Sequence, residues 1–198
     1  MKSVNVKRMA GVALLMAMVV VMQFLSVIIP PVGGFSFSLV LIPIVLGAAL
    51  FGPKTGALLG GTFGVVVFIN CVTGADPGGQ MVLQANPVLC FLVVMGKGIL
   101  AGLLSGLVYK VMKKKDSKGY ISMVCAAVVC PVVNTGVFIV CMLTFFRPVL
   151  EAWAQDGGVA AFILSGLVLV NFVPELIINV VFSPASQRII EAFPRKCD

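Results

Sequence analysis

Between Arg8 and Lys54 the chain carries no charged residue, and further charge-free runs cover residues 55–75, 77–96, 119–146 and 157–174. Runs of this length demand an apolar solvent. A helix that crosses a bilayer needs ~20 predominantly apolar residues, and a chain of 198 residues has room for about six. Hydrophobic residues make up 60% and charged residues 11%, where soluble domains carry about 25% charged residues. The pattern predicts an all-α integral membrane bundle, a single transmembrane domain over residues 1–198. Its six helices are expected at about 9–29, 37–51, 55–72, 87–112, 120–146 and 159–183.

"MKSVNVKR" precedes the first apolar segment as the basic end of a secretory signal would. That segment is longer than the ~7–15-residue core of a cleaved signal, so the first helix is expected to stay. "PPVGG" (Pro30–Gly34) ends it, and "SQRIIEAFPRKCD" reads as a short amphipathic tail.

Basic residues set the orientation. Lys2, Lys7, Arg8, Lys54, Lys110, Lys113, Lys114, Lys115, Lys118, Arg188, Arg195 and Lys196 fall on one side of a six-span chain. Arg147 stands opposite, with Asp76, Glu151 and Asp156. This bias requires both termini in the cytoplasm, and it explains the net charge of +7 without a nucleic-acid partner.

The chain has no histidine, and its six cysteines show no CxxC spacing. Zinc, haem and histidine acid–base chemistry lose their usual ligands, so no metal or cofactor is expected.

Small residues recur every fourth position at Gly56, Gly60 and Gly64 and at Gly98, Gly102 and Gly106. Such stripes let two helices approach closely, and packing within this chain is the expected use. Ala10, Ala13 and Ala17 form a further small stripe, with either an internal or an external partner.

Polar side chains inside the spans include Asn70, Lys97, Asn134, Thr135, Asn171, Glu175 and Asn179. Positions 171, 175 and 179 share one helix face. A charge at mid-membrane costs ~2.5–3.5 kcal/mol on insertion scales, and such groups usually line a cavity. Lys97 and Glu175 have two readings: a structural ion pair, or a solute cavity that both enter. Asn134 and Asn171 point to the cavity. Pro131 and Pro174 each remove a backbone donor and bend the helix beside it, as irregular cavity walls do and as passive kinks do equally. The external loop 73–86, with Gly74, Pro77, Gly78 and Gly79 beside Gln80, Gln84 and Asn86, reads as a lid that closes over solute or as a plain connector.

At this point the chain resembles the S components of energy-coupling factor (ECF) transporters. The likeness lies in the six spans, the Ala-x-x-x-Ala step in "ALLMA", and "LVLIPIVLGAALFGPKTGALLGG". "GKGILAGLLSGLVYKVMKKK" and "CPVVNTGVFIVCMLTFF" extend it over nearly the whole chain. The resemblance implies a plasma-membrane subunit that captures a water-soluble vitamin, or its precursor, from outside. It implies docking to a T subunit and two ABC ATPases through Ala13 and Ala17, with Ala10 adjoining. It places Lys97, Asn134, Asn171 and Glu175 in or near the solute pocket, with Gln84 and Asn86 on the lid. It implies no catalysis by the chain, and no G-x-x-x-x-G-K-[ST] phosphate loop is present.

A self-sufficient secondary transporter with Glu175 as proton carrier is the alternative. An intramembrane enzyme would need a nucleophile paired with a base, and no such pair is visible. With Trp153 assigned to an external loop, stacking on a solute would fall to phenylalanines. That mildly favours a flexible acid such as pantothenate over a flat-ringed vitamin.

Overall fold

The computed structural model describes residues 2–28, 39–154 and 157–192. The turn at Pro30–Gly34, the start of the expected second helix, and Asp156, Arg195, Lys196 and Cys197 lie outside them. The described chain is helical throughout: α1 (Lys2–Ile28), α2 (Leu41–Phe51), α3 (Pro53–Thr73), α4 (Pro77–Ala85), α5 (Pro87–Met112), α6 (Tyr120–Phe145) and α7 (Arg147–Ala154). A last rod begins as α8 (Val159–Phe162), passes through a π-helical segment (Ile163–Phe172) and ends as α9 (Val173–Ala192).

Among the described residues, five stretches are long and apolar enough to cross a membrane: Val6–Ser26 of α1, α3, α5, α6 and Val159–Ala192. The α2 helix has 11 residues, or about 16 Å at ~1.5 Å per residue, against a hydrocarbon layer of ~30 Å.

Helix starts follow from local chemistry. Gly52 takes φ +97, a conformation that a Cβ disfavours, and turns α2 into α3 with Pro53 at the first helical turn. Asp76 caps α4 by accepting from the Gly79 amide at 3.1 Å, and Asn86 caps α5 by accepting from Leu89 at 3.1 Å. Each cap is followed by a proline, Pro77 or Pro87, whose missing N–H costs nothing in a first turn. The segment 73–86 is therefore a tight turn plus the helix α4, instead of a loop.

Two further stretches are more ordered than the sequence led one to expect. Residues 147–154 form α7, which buries Leu150 and Ala154 one turn apart. The expected tail continues α9 as far as it is described: the helix runs through Pro184 to Ala192. Gln187 anchors it: Tyr109 Oη donates to Gln187 Oε1 at 3.1 Å, and Gln187 Nε2 donates to the Lys118 carbonyl at 2.9 Å.

The α3/α5 seam is backbone against backbone. A Cβ on Gly56 would meet the Gly102 carbonyl, one on Gly60 the Gly98 carbonyl, and one on Gly64 the Val94 carbonyl at 2.8 Å. Partner numbers fall as the glycine numbers rise, so the helices are antiparallel. Both glycine stripes thus pack against each other within the chain. The seam brings Pro53 against Gly106, while Arg8 donates to the Phe51 carbonyl at 3.0 Å. These contacts, with that of Gln187 to Lys118, gather the basic helix ends at one end of the bundle.

Candidate functional site

The other end of the bundle holds a cavity of about 140 Å³. At roughly 10–15 Å³ for each water, that space takes on the order of ten waters or one small solute. Its wall draws on most elements: Gln23 from α1, Phe63, Val67, Asn70 and Cys71 from α3, and Cys90, Val93, Val94 and Lys97 from α5. Asn134, Thr135 and Phe138 come from α6, and Leu167, Asn171 and Glu175 from the last rod. Asp76, Gly78, Gly79 and Val82, with Trp153, complete it from the α4 and α7 side.

The polar groups there are built in at a cost. Gln23 Oε1, Asn70 Nδ2, Asn134 Oδ1 and Thr135 Oγ1 are buried without a hydrogen-bond partner among the described residues. Each such group costs ~1–3 kcal/mol when left unsatisfied, and all four residues line this one cavity. Their unused hydrogen-bonding capacity is available to a polar solute.

Lys97 supplies positive charge in the wall. Its Nζ lies 4.8 Å from the Phe138 ring centroid and 5.8 Å from that of Phe63, within the range at which ring faces attract an ammonium. Asp76 and Glu175 are the acids of the lining. Asp76 Oδ1 is committed to its helix cap, and Glu175 is 2% exposed.

Backbone irregularity shapes the rod beside these groups. Pro174 has no N–H to give to the preceding turn, and its ring crowds the carbonyl four residues back. The turns before it are π-helical, a widened geometry often found at functional sites. Asn171 sits in that segment and Glu175 just past it, both on the cavity. Asn179, the third member of the face, is buried and donates from Nδ2 to the Glu175 carbonyl at 2.8 Å. That answers the face residue by residue: 171 and 175 serve the cavity, 179 the helix.

Of the residues singled out from the sequence, Lys97, Asn134, Asn171 and Glu175 meet in this cavity. Gln84 and Asn86 do not join them. Gln84 is exposed on α4, and the Asn86 side chain is occupied in capping α5. Trp153, assigned to a loop from the sequence, is on the cavity wall instead. The amphipathic α7 turns it inward, where Nε1 donates to Met81 Sδ at 3.2 Å and the ring lies 6.1 Å from that of Phe162. Gln23, Asn70 and Thr135 also belong to the site. Their signal in the sequence was their polarity within apolar spans, a property that does not say which way a side chain faces.

A sequence model of the ECF transporter substrate-specific component matches residues 7–185. The chain belongs to this family. It is a multi-pass cell-membrane protein and a transport subunit, not an enzyme. Among curated proteins it is 24% identical to the pantothenic acid transporter PanT of Lactococcus lactis subsp. cremoris, over 93% of this chain and 94% of that protein.

Ala10, Ala13 and Ala17 of this S component are all exposed on α1. The helix shows the same face in Met9 (70% exposed) and Leu14 (65%). Among the described residues, the alanine stripe is therefore not used in packing the bundle.

Proposed function

We propose that this S component captures pantothenate, or a close hydroxy-acid amide, in the cavity and delivers it to an ATP-driven module of a T subunit and two ABC ATPases. In this reading the chain spans the membrane six times with both termini in the cytoplasm, and the cavity end faces outward. The observation that carries the proposal is the convergence on a single solute-sized cavity of one lysine and four buried polar atoms that have no hydrogen-bond partner among the described residues. The pantothenic acid transporter of L. lactis supports the choice of solute.

The chemistry divides the solute between two kinds of wall. Its carboxylate goes to Lys97, because a charge-assisted hydrogen bond is roughly twice as strong as a neutral one. Its hydroxyl and amide groups go to Gln23, Asn70, Asn134, Thr135 and Asn171, with Trp153 and the phenylalanines covering its apolar carbons. Glu175 accepts from a solute hydroxyl or balances Lys97. The exposed Ala10, Ala13 and Ala17 are the face that docks to the T subunit, where small side chains let a partner helix come close.

Binding of pantothenate to the purified protein without ATP is the direct test. Asn134→Ala is expected to weaken it by about 2- to 12-fold, the value of one neutral hydrogen bond. Unchanged affinity in that variant refutes the assigned pocket. Uptake is expected to require co-expressed ATPase subunits; uptake by the chain alone refutes the coupling and favours an ion-driven transporter.

A further inference from the structure

At the end of the bundle away from the cavity, a groove of about 400 Å³ runs between the start of α1, the α2–α3 corner and the end of α5. Arg8, Lys110 and Lys113 line it, and no acidic residue does among those described. Two of these cations are tethered by backbone. Arg8 Nη2 donates to the Phe51 carbonyl at 3.0 Å, and Lys113 Nζ donates to the Ser117 carbonyl at 3.1 Å. Each of these contacts uses one donor, while a guanidinium has five N–H groups and an ammonium three. Most of the hydrogen-bonding capacity of the trio is left for a ligand. Tethering lowers the entropy lost when that ligand is gripped.

The asymmetry of charge across a membrane explains why cations lie at one end. It does not gather three around one concavity. The surroundings define the ligand further. Phe51 packs on Gly11, where an added Cβ would meet its ring at 2.7 Å, so α1 closes one side of the groove. The neighbouring Met9 and Leu14 remain 70% and 65% exposed, an apolar flank running from the groove along the bundle. Clustered cations at helix ends beside a lipid-facing surface fit a phosphate ester that carries acyl chains.

We propose that in the S component free of its T subunit this groove binds the phosphate group of an anionic phospholipid, with its acyl chains lying along the α1 face that the T subunit would otherwise cover. Free inorganic phosphate shares the headgroup chemistry but makes no use of the apolar flank. The lipid is therefore the occupant assigned.

Native mass spectrometry of the full chain tests this, using detergent micelles doped equally with phosphatidylglycerol and phosphatidylcholine at fixed ionic strength. Phosphatidylglycerol is expected to be retained over phosphatidylcholine by on the order of tenfold. Arg8→Gln with Lys110→Gln and Lys113→Gln is expected to bring that ratio close to one. Lys114→Gln with Lys115→Gln, which removes exposed cations outside the groove, is expected to leave it unchanged. A preference that survives the triple substitution, or that falls equally in both variants, overturns the site. Lys110→Gln alone, a substitution of an exposed side chain, guards against misfolding of the triple variant and is expected to lower the ratio by itself; an unchanged ratio counts against the groove. In a second arm, millimolar inorganic phosphate is added. Retained phosphatidylglycerol supports the lipid, and its displacement assigns the groove to the free anion and overturns the lipid.

Discussion

Lys97→Met separates a lysine that binds solute from one that only holds the fold. Methionine keeps an unbranched apolar side chain and removes the ammonium, whose Nζ is 4.8 Å from the Phe138 ring centroid and 5.8 Å from that of Phe63. If that ammonium receives a solute carboxylate, the lost interaction is a hydrogen bond between charged groups, ~1.5–3 kcal/mol. At about 1.4 kcal/mol for each tenfold, affinity for pantothenate falls by about 10- to 150-fold. Pantothenol, in which a primary alcohol replaces the carboxylate, loses less, about 2- to 12-fold. The assay is isothermal titration of both ligands into wild-type and variant protein. Equal losses for the acid and the alcohol, or wild-type affinity for the acid, refute the reasoning. A purely structural pairing of Lys97 with Glu175 predicts something else: removing one partner of a buried ion pair destabilises by ~3–5 kcal/mol. The melting temperature would then drop sharply, and Glu175→Gln added to Lys97→Met would restore it.

Three other variants probe the bundle. Ala13→Leu with Ala17→Leu is expected to preserve solute binding and abolish ATP-driven uptake in cells; normal uptake removes the docking role of α1. Gly60→Ala places a methyl group on the Gly98 carbonyl, and both sides of that contact are backbone. Overpacking of this kind costs ~1–3 kcal/mol, so thermal unfolding in detergent should shift downward, and an unchanged midpoint refutes the close seam. The Asp116 carboxylate caps α6, accepting from the Ser122 amide at 2.9 Å and from the Ser122 hydroxyl at 3.0 Å. The Ser122 amide holds its pKa below the ordinary value, helped by the Gly119 amide and Lys113 against partial desolvation. A carboxyl with a depressed folded pKa stabilises above its unfolded value, roughly 3.9, and loses that contribution as pH falls through the folded pKa. The protection factor of the Ser122 amide, its exchange rate set against the intrinsic rate at the same pH, should therefore be high near neutrality and fall in acid, and in Asp116→Asn it should be lower and nearly flat with pH.

Much of this architecture could be read along the chain because lipid imposes a one-dimensional rule. Charge-free runs must become helices, since backbone groups find no other partners in hydrocarbon. α3, α5 and α6 accordingly appear close to where the apolar runs place them. The glycine stripes were legible for a similar reason, since spacing by four marks a face whatever its partner. Local signals failed where composition misled. Gly74, Gly78 and Gly79 suggested an open loop, yet Asp76 and Pro77 form a cap and first turn strong enough to start α4. Asn86 and Pro87 repeat the device for α5, which takes Asn86 away from the solute.

Residue chemistry was therefore enough to place the chain in the membrane, to separate its basic end from its sparsely charged one, and to pick out Lys97, Asn134, Asn171 and Glu175. Their company was not encoded at any single spacing. Gln23, Asn70, Thr135 and Trp153 come from four different helices, and each is an isolated polar or aromatic residue until the helices pack. Periodicity reports which residues share a face of one helix. Which faces meet, and whether they enclose a void, depends on how closely backbones approach, and here the α3/α5 glycine seam and the widened turns before Pro174 settle both.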